Sequence, residues 1–230
     1  LSKYIDFRWE NFGKAIRAMK LFPTYLKNTM ILCVLTVIGT VCSSTLVVYG
    51  FARIEWPGRD KVFLVVLATM MVPGEVLLVP NYITLSKFGW MDSYLALIVP
   101  WVVSVFVIFL IRQHFMTIPD ELYDAGRIDG ISKWGFLWKV MVPLSKPVII
   151  TGSLLKFVGS WNSFLWVLIV TKSPQVRTLP VGLSTFSTEV GTLYNKLMAA
   201  STFSMIPIII LFLFVQKYFI QGIARTGLKG

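Results

Sequence analysis

The chain has 230 residues, of which 56% are apolar and only 14% charged, and its mean hydropathy is +0.72. Soluble domains carry roughly 25% charged residues, so this composition excludes an ordinary soluble globular protein and points to a polytopic membrane protein. A formal net charge of +11 would point to nucleic acid in a soluble chain. Here Lys and Arg sit in loops flanking apolar spans, where membrane topology alone explains them, and no nucleic-acid partner is expected.

In chain order, residues 1–27 are polar, and Ile5, Trp9, Phe12 and Ile16 predict a short amphipathic, interfacial helix. The chain begins at Leu1 with no secretory signal before the first span, so further sequence is expected upstream. A membrane helix needs about 20 predominantly apolar residues. Residues 28–52, 93–111 and 197–216 carry no charge, 62–86 carries only Glu75, and 147–171 only Lys156. Five helical spans are therefore predicted, and no segment alternates as a membrane barrel strand would. Cys33 and Cys42 lie in one such helix, roughly 13 Å apart along its axis, so they form no disulfide with each other and have the wrong spacing for a metal site.

Between spans, 53–61 is short and basic, 87–92 is a tight turn, and 172–196, with Pro174, Pro180, Gly182 and Gly191, reads as an irregular polar loop. Residues 112–146 are too polar to span. Pro119 and Asp120 mark a helix start, with Asp120 placed to cap free N–H groups. Gly130 breaks that helix, and Ser132 caps a second one, 133–141, which ends before Pro143. The predicted unit is helix, sharp bend, helix, on one side of the membrane. The short-loop comparison of 53–61 against Lys87 alone favours a cytoplasmic side, while the full count of Lys and Arg does not decide it; with that assignment loop 172–196 lies outside.

Two span charges are candidates. Glu75 follows the Pro73-Gly74 break. It either lines a pathway, since an intramembrane carboxylate marks a functional site by default and a break frees backbone groups, or reaches water at a helix end. Asn81 and Tyr82 are taken with it as path residues. Lys156 either snorkels to the cytoplasmic interface or is a pathway cation that meets an acidic saccharide. His114 beside Arg112 reads as an interface residue. There is no nucleophile with base and orienter, no paired carboxylates in a plausible cleft, no Cys/His ligand set and no Gly-rich phosphate loop.

The run Pro119-Asp120-Glu121-Leu122-Tyr123-Asp124-Ala125-Gly126-Arg127-Ile128-Asp129-Gly130, continuing to Val142-Pro143-Leu144-Ser145-Lys146-Pro147, resembles the "EAA" loop of ABC importer permeases. The namesake triplet departs, reading Asp124-Ala125-Gly126. It keeps a carboxylate and small residues, but the shorter Asp is expected to weaken a contact. The stretch 157–166, with Trp161-Asn162-Ser163, then Arg177-Thr178-Leu179-Pro180-Val181-Gly182-Leu183 and the C-terminal Gln216–Gly230, resembles the maltose-type oligosaccharide permeases, where Asp usually stands in place of Ser163. The resemblance covers nearly the whole chain. It implies an all-α type I importer permease fold of six spans, about five of them present here, in the bacterial inner membrane, with 1–27 an extracytoplasmic or interfacial segment and 28–230 the transmembrane domain.

The resemblance implies that loop 118–147 docks into a cytosolic ATPase through Asp124, Ala125, Gly126, Asp129, Gly130 and Pro143, small residues allowing close backbone approach; without it the loop reads equally well as a plain amphipathic connector. It implies that loop 172–196 contacts an extracytoplasmic solute-binding protein through Gly182, Ser184, Thr185, Ser187 and Gly191, the plainer alternative being a solvated connector. It also implies that Trp161 and Asn162 line a sugar path, an aromatic face packing on C–H groups and an amide bonding hydroxyls, with Trp166 equally a packing residue. The implied partners are a second homologous permease, an ABC ATPase dimer that carries ATP and Mg, the solute-binding protein, the lipid bilayer and a sugar or oligosaccharide. No cofactor is expected on this chain, and no enzymatic activity. The alternatives are an ion-coupled secondary transporter or channel, with Glu75 and Lys156 on the ion path, and an ABC importer for a non-sugar solute. A bent helix pair has no role in an ion-coupled carrier.

Overall fold

A computed structural model describes residues 9–188 and 191–227. Its helices are α1 (Glu10–Ala18), α2 (Phe22–Ala52), α3 (Arg59–Ala68), α4 (Leu78–Lys87), α5 (Tyr94–Ile98), α6 (Val105–Phe115), α7 (Asp120–Ile128), α8 (Lys133–Phe136), α9 (Val142–Leu144), α10 (Lys146–Trp161), α11 (Leu165–Val170), α12 (Leu179–Leu183) and α13 (Tyr194–Gly227). A two-residue hairpin, β1 (Ser187–Thr188) and β2 (Gly191–Thr192), pairs Ser187 with Thr192 and Thr188 with Gly191.

The central helix, α2, shows how this chain solves the membrane problem. Its buried residues include Asn28, Thr29, Leu32, Thr36, Thr40, Ser44, Thr45 and Val48, recurring every three or four positions, so one stripe faces inward. That stripe is rich in small hydroxyl side chains, while Met30, Val34, Leu35 and Ile38 point outward. Lipid is as apolar as any core, so close packing and interhelical hydrogen bonds hold such helices together. Accordingly Ser43 Oγ donates to Val102 O at 2.7 Å and Thr40 Oγ1 to Trp101 O at 3.3 Å. Pro23 sits in the first turn of α2, where its missing N–H does no harm. The helix thus begins before Lys27, and the last residues of the 1–27 segment belong to it. Segment α1 packs against α13, with Phe12 edge-on to Phe203 at 5.4 Å and Ala15 buried, while Trp9 stays 71% exposed; Ile5 lies outside the described residues.

The expected spans correspond to helices, but two are broken. Residues 62–86 form two arms, Arg59–Met71 and Gly74–Lys87, meeting at 88°. Pro73 has no N–H and pushes Val72 into extended backbone (ψ 116°). Span 147–171 divides into α10 and α11 at residues 162–164. Tyr94–Phe115 qualifies as a span of 22 residues despite a tight 3₁₀ turn at Val99–Trp101. Among the described residues three helices are long and apolar enough to cross a membrane, or five if each bent pair counts as one. The chain is an all-α multi-pass membrane protein.

Among the described residues, buried side chains form three clusters. One joins Val48 and Phe63 to Ile111, Phe115, Phe136, Leu137 and Met141. A second joins Ala15, Tyr25, Cys33, Trp161, Leu179 and Ala199. A third joins Leu32, Leu85, Leu97, Trp166 and Val181. The 119–147 loop thus contributes to a core at one end of the molecule, and the 172–196 loop to the cores toward the other.

Candidate functional site

The loop between α6 and α10 is built as a rigid bent unit. Asp120 is the first helical residue of α7, after Pro119, and not its cap, as the sequence suggested. No side chain caps this helix; the Asp120 carboxylate instead pairs with Arg53. Arg53, its side chain 8% exposed, also donates to Phe115 O at 3.2 Å and to Ile118 O. One guanidinium from the end of α2 therefore holds both the end of α6 and the start of α7.

At the other end of α7, Ile131 N donates to Gly126 O (2.8 Å) and Gly130 N to Arg127 O (3.1 Å), with Gly130 at φ 73°. This paired closure requires a left-handed residue at Gly130, which glycine adopts without penalty. Ser132 Oγ accepts from Gly135 N at 3.1 Å, capping α8 as expected. The second helix, however, does not end before Pro143. A π-turn at Leu137–Met141 leads through Pro143 to Leu144, consistent with a proline that cannot donate to the preceding turn. The chain then turns by 77° into α10.

The two arms close on each other through Tyr123 and Phe136, edge to face at 5.0 Å. Gly126 is buried there, and a Cβ on it would stand 3.1 Å from Phe136 Cδ2. Tyr49 OH donates to Lys133 O at 3.0 Å. The opposite side is open: Asp124, Ala125, Asp129 and Pro143 are exposed, as are Leu122, Ile128 (87%) and Trp134 (63%). Arg112 adds a second brace. Its Nη2 lies 2.6 Å from Asp60 Oδ1, its Nε donates to Phe51 O at 3.4 Å, and its guanidinium covers the Phe63 ring. In the sequence Arg53 and Arg112 are indistinguishable from loop cations set by topology, because nothing local marks a buried brace.

A cavity of about 420 Å³ lies between α2, the turn before α6, α10 and residues 163–166. Lys156, Thr36, Trp101, Ser160, Ser163 and Trp166 line it. Trp166 Nε1 donates to Ala96 O at 3.0 Å, and the ring stands edge-on to Trp101 at 5.7 Å. Lys156 is ten residues into α10, about 15 Å along the axis from its start. Its side chain stands on the cavity wall rather than at the start of the helix.

The other path candidates do not gather here. Trp161 is 2% exposed and stacks on Phe157 at 5.6 Å in the second core cluster. Asn162 is exposed rather than buried, and its Nδ2 donates to Val158 O at 3.0 Å, closing the end of α10. Glu75 is exposed at the α3–α4 bend, and Asn81 and Tyr82 lie on α4, none of them on the cavity wall. Ser160 and Ser163 stand on the cavity wall instead; Ser163 was singled out in the sequence only as standing where Asp is usual, and Ser160, near a helix end within an apolar run, looks like an ordinary turn residue.

Residues 172–186 are held by more hydrogen bonds than their composition suggested. Asp92, at φ 60°, accepts from Lys172 N and Ser173 N at 2.9 Å each and from Ser173 Oγ. Those bonds, the Ser173 hydroxyl first, hold its carboxyl below the ordinary carboxylate range. Asn28 Nδ2 donates to Gln175 O (2.6 Å) and Arg177 O (2.9 Å), and its Oδ1 accepts from Tyr94 OH at 2.6 Å. Gly182 is buried under Tyr25, where a Cβ would meet Cδ2 at 2.3 Å; as a contact residue it is a correction. Ser184 and Thr185 form a tight turn, their hydroxyls bonded to Val181 O and Gly182 O. Ser187 and Gly191 lie in the hairpin.

Membrane helices around a half-open cavity, with a braced helical elbow at one end and a hydrogen-bonded loop at the other, define a multi-pass transport subunit. The family described as binding-protein-dependent transport system inner membrane component matches residues 37–225, and the chain belongs to it. It is 36% identical over 222 residues to the arabinooligosaccharides transport system permease protein AraQ of Bacillus subtilis (strain 168), covering 96% of this chain and 79% of that one. It is 34% identical over 225 residues to the trehalose/maltose transport system permease protein MalG of Thermococcus litoralis, covering 96% and 81%. A solved bacterial ABC transporter involved in the import of the acidic polysaccharide alginate contains a chain of the same fold, with a TM-score of 0.83, 25% identity, and coverage of 94% of this chain and 81% of that one.

Proposed function

We propose that this chain is one of two permeases of an ATP-driven importer for a sugar or oligosaccharide. The observation that carries the reading is the elbow: a bent, internally packed helix pair, fastened to α2 by Arg53, with an outward face of Leu122, Ala125, Ile128 and Trp134. An open apolar face on a rigid unit is what a cytosolic ATPase groove requires. Asp124, Asp129, Gly130 and Pro143 flank that face. The ATPase dimer carries ATP and Mg, and this chain performs no hydrolysis. The outer loop, with Ser184, Thr185 and the hairpin, meets the solute-binding protein. The exposed Val65, Met71, Val76 and Val79 of the α3–α4 arms supply area for a second permease and for lipid. Loaded receptor and ATP together favour the outward-open state, and hydrolysis restores the inward-open one.

The test is reconstitution of this chain with its partner permease, ATPase and binding protein in vesicles, after a thermal-shift screen of the binding protein against arabino- and malto-oligosaccharides. Uptake that needs ATP and stops with Gly130→Pro is expected. Uptake driven by an ion gradient without ATP, or normal transport by Gly130→Pro, would overturn the reading.

A further inference from the structure

The cavity between α2 and α10 holds a positive charge with no partner of the protein's own. Among the described residues Lys156 makes no ion pair, and no carboxylate lines the cavity. Thr36, 0% exposed, also lines it, and its Oγ1 has no hydrogen-bond partner. A cation within a membrane span is held by an opposite charge or by water in a cavity, and where it persists it marks a ligand or ion path. Helical side chains lean toward the helix N-terminus, which here takes Lys156 away from the nearer end of α10. The remaining wall is mostly apolar, with Leu32, Leu97, Val107 and Leu155 on it; Trp101 and Trp166 add ring surface, and Ser160 and Ser163 add hydroxyls. The volume of about 420 Å³ falls in the range of small-ligand sites.

We propose that this cavity is a subsite for an anionic sugar, in which Lys156 meets a carboxylate or phosphate on the ring while Trp101 and the hydroxyls of Thr36, Ser160 and Ser163 meet the ring itself. This rests on the importer reading and narrows its substrate class. An ammonium is a point charge and takes either anion, so uronic acids and sugar phosphates share the required chemistry.

The test uses the whole transporter in nanodiscs, with Cys33 and Cys42 replaced by Ala and Ser160→Cys, one turn from Lys156, as reporter. The labelling rate of that thiol is measured with an anionic and a cationic methanethiosulfonate reagent. A unit charge a few ångströms away in a partly desolvated site is expected to change the anionic-to-cationic rate ratio about tenfold. The ratio should therefore fall about tenfold in Lys156→Met and persist in Lys156→Arg; Lys156→Gln replaces the Met variant if that one does not assemble. Glucuronate, glucose 6-phosphate and glucose are then compared as protectants. Protection by glucuronate alone identifies a carboxylate subsite, by glucose 6-phosphate alone a phosphate subsite, and by both a general anion subsite. An unchanged ratio in Lys156→Met, or equal protection by glucose, overturns the proposal. Labelling needs no uptake, so this failure is separable from loss of ATP-dependent transport of a neutral oligosaccharide, which would count against the importer reading instead.

Discussion

Arg112 Nη2 sits 2.6 Å from Asp60 Oδ1 while the guanidinium carbon stands 4.0 Å from the centroid of the Phe63 ring. The last turn of α6 is thereby tied to the first turn of α3. The two partners are not equivalent, because the Arg112 side chain is 9% exposed and that of Asp60 68%. Exposed carboxylates contribute little to such pairs, but a buried guanidinium with several acceptors contributes through all of them. Asp60→Asn is expected to lower stability by less than about 1 kcal/mol. Arg112→Met, which leaves Phe51 O without its donor, should lose about 2 to 3 kcal/mol. Thermal unfolding of the assembled transporter in detergent checks the order; equal losses would refute it.

Gly130 separates two roles of the elbow. Gly130→Ala keeps the backbone N–H but places a Cβ at φ 73°, a strain of about 1 kcal/mol. The elbow should persist, with ATPase activity still coupled to transport. Gly130→Pro cannot adopt positive φ and removes the donor to Arg127 O. It should leave assembly intact while ATP hydrolysis continues without uptake. The ratio of solute imported to ATP hydrolysed is the readout.

Gly182 and Tyr25 make a steric pair across the outer end of the molecule. A Cβ at Gly182 would meet the ring at 2.3 Å, and Tyr25 is only 6% exposed, so the ring has little room to give. Gly182→Ala is expected to destabilise by about 1 to 3 kcal/mol. Adding Tyr25→Leu should recover part of that loss, a coupling visible as non-additivity in a double-mutant cycle. Strict additivity would show that the two side chains do not share this space.

The Asp92 clasp on Lys172 and Ser173 is expected to be sensitive to acid. Its folded carboxyl titrates below the ordinary value because Ser173 and Lys172 donate to the ionised form. A depressed folded pKa adds stability that is fully present above the unfolded value of about 3.9 and is lost as pH falls below it toward the folded value. The protection of the Lys172 and Ser173 amides, taken as exchange relative to the intrinsic rate at each pH, should therefore fall on acidification below about pH 4 in the native chain. In Asp92→Asn that protection should be low and independent of pH across the same range. Identical profiles would remove Asp92 as the clasp.

The apolar spans were legible because the bilayer demands long uncharged stretches, and 28–52 and 197–216 lie within α2 and α13. The break at Pro73 and the bend at Gly130 were legible because each is a backbone rule carried by one residue. Asp120 was misread as a cap, since only the folded chain brings Arg53, 67 positions away, to claim its carboxylate. That Trp161 and Asn162 stay off the cavity wall was not legible, because aromatic and amide chemistry says what a side chain can hold but not which way it faces. One helical step decides that, turning Lys156 and Ser160 to the cavity and Trp161 to the core.

Sequence alone determined that Lys156 lies within an apolar span, and with the loop motif it determined the class of subunit to which that span belongs. Only the tertiary structure decided that Lys156 faces a cavity, that no carboxylate among the described residues shares that cavity, and that Arg53 and Arg112 brace the elbow at the other end. The physical reason is that membrane insertion is written in local hydropathy along the chain, whereas the pairing or isolation of a charge depends on residues that meet only when the helices pack.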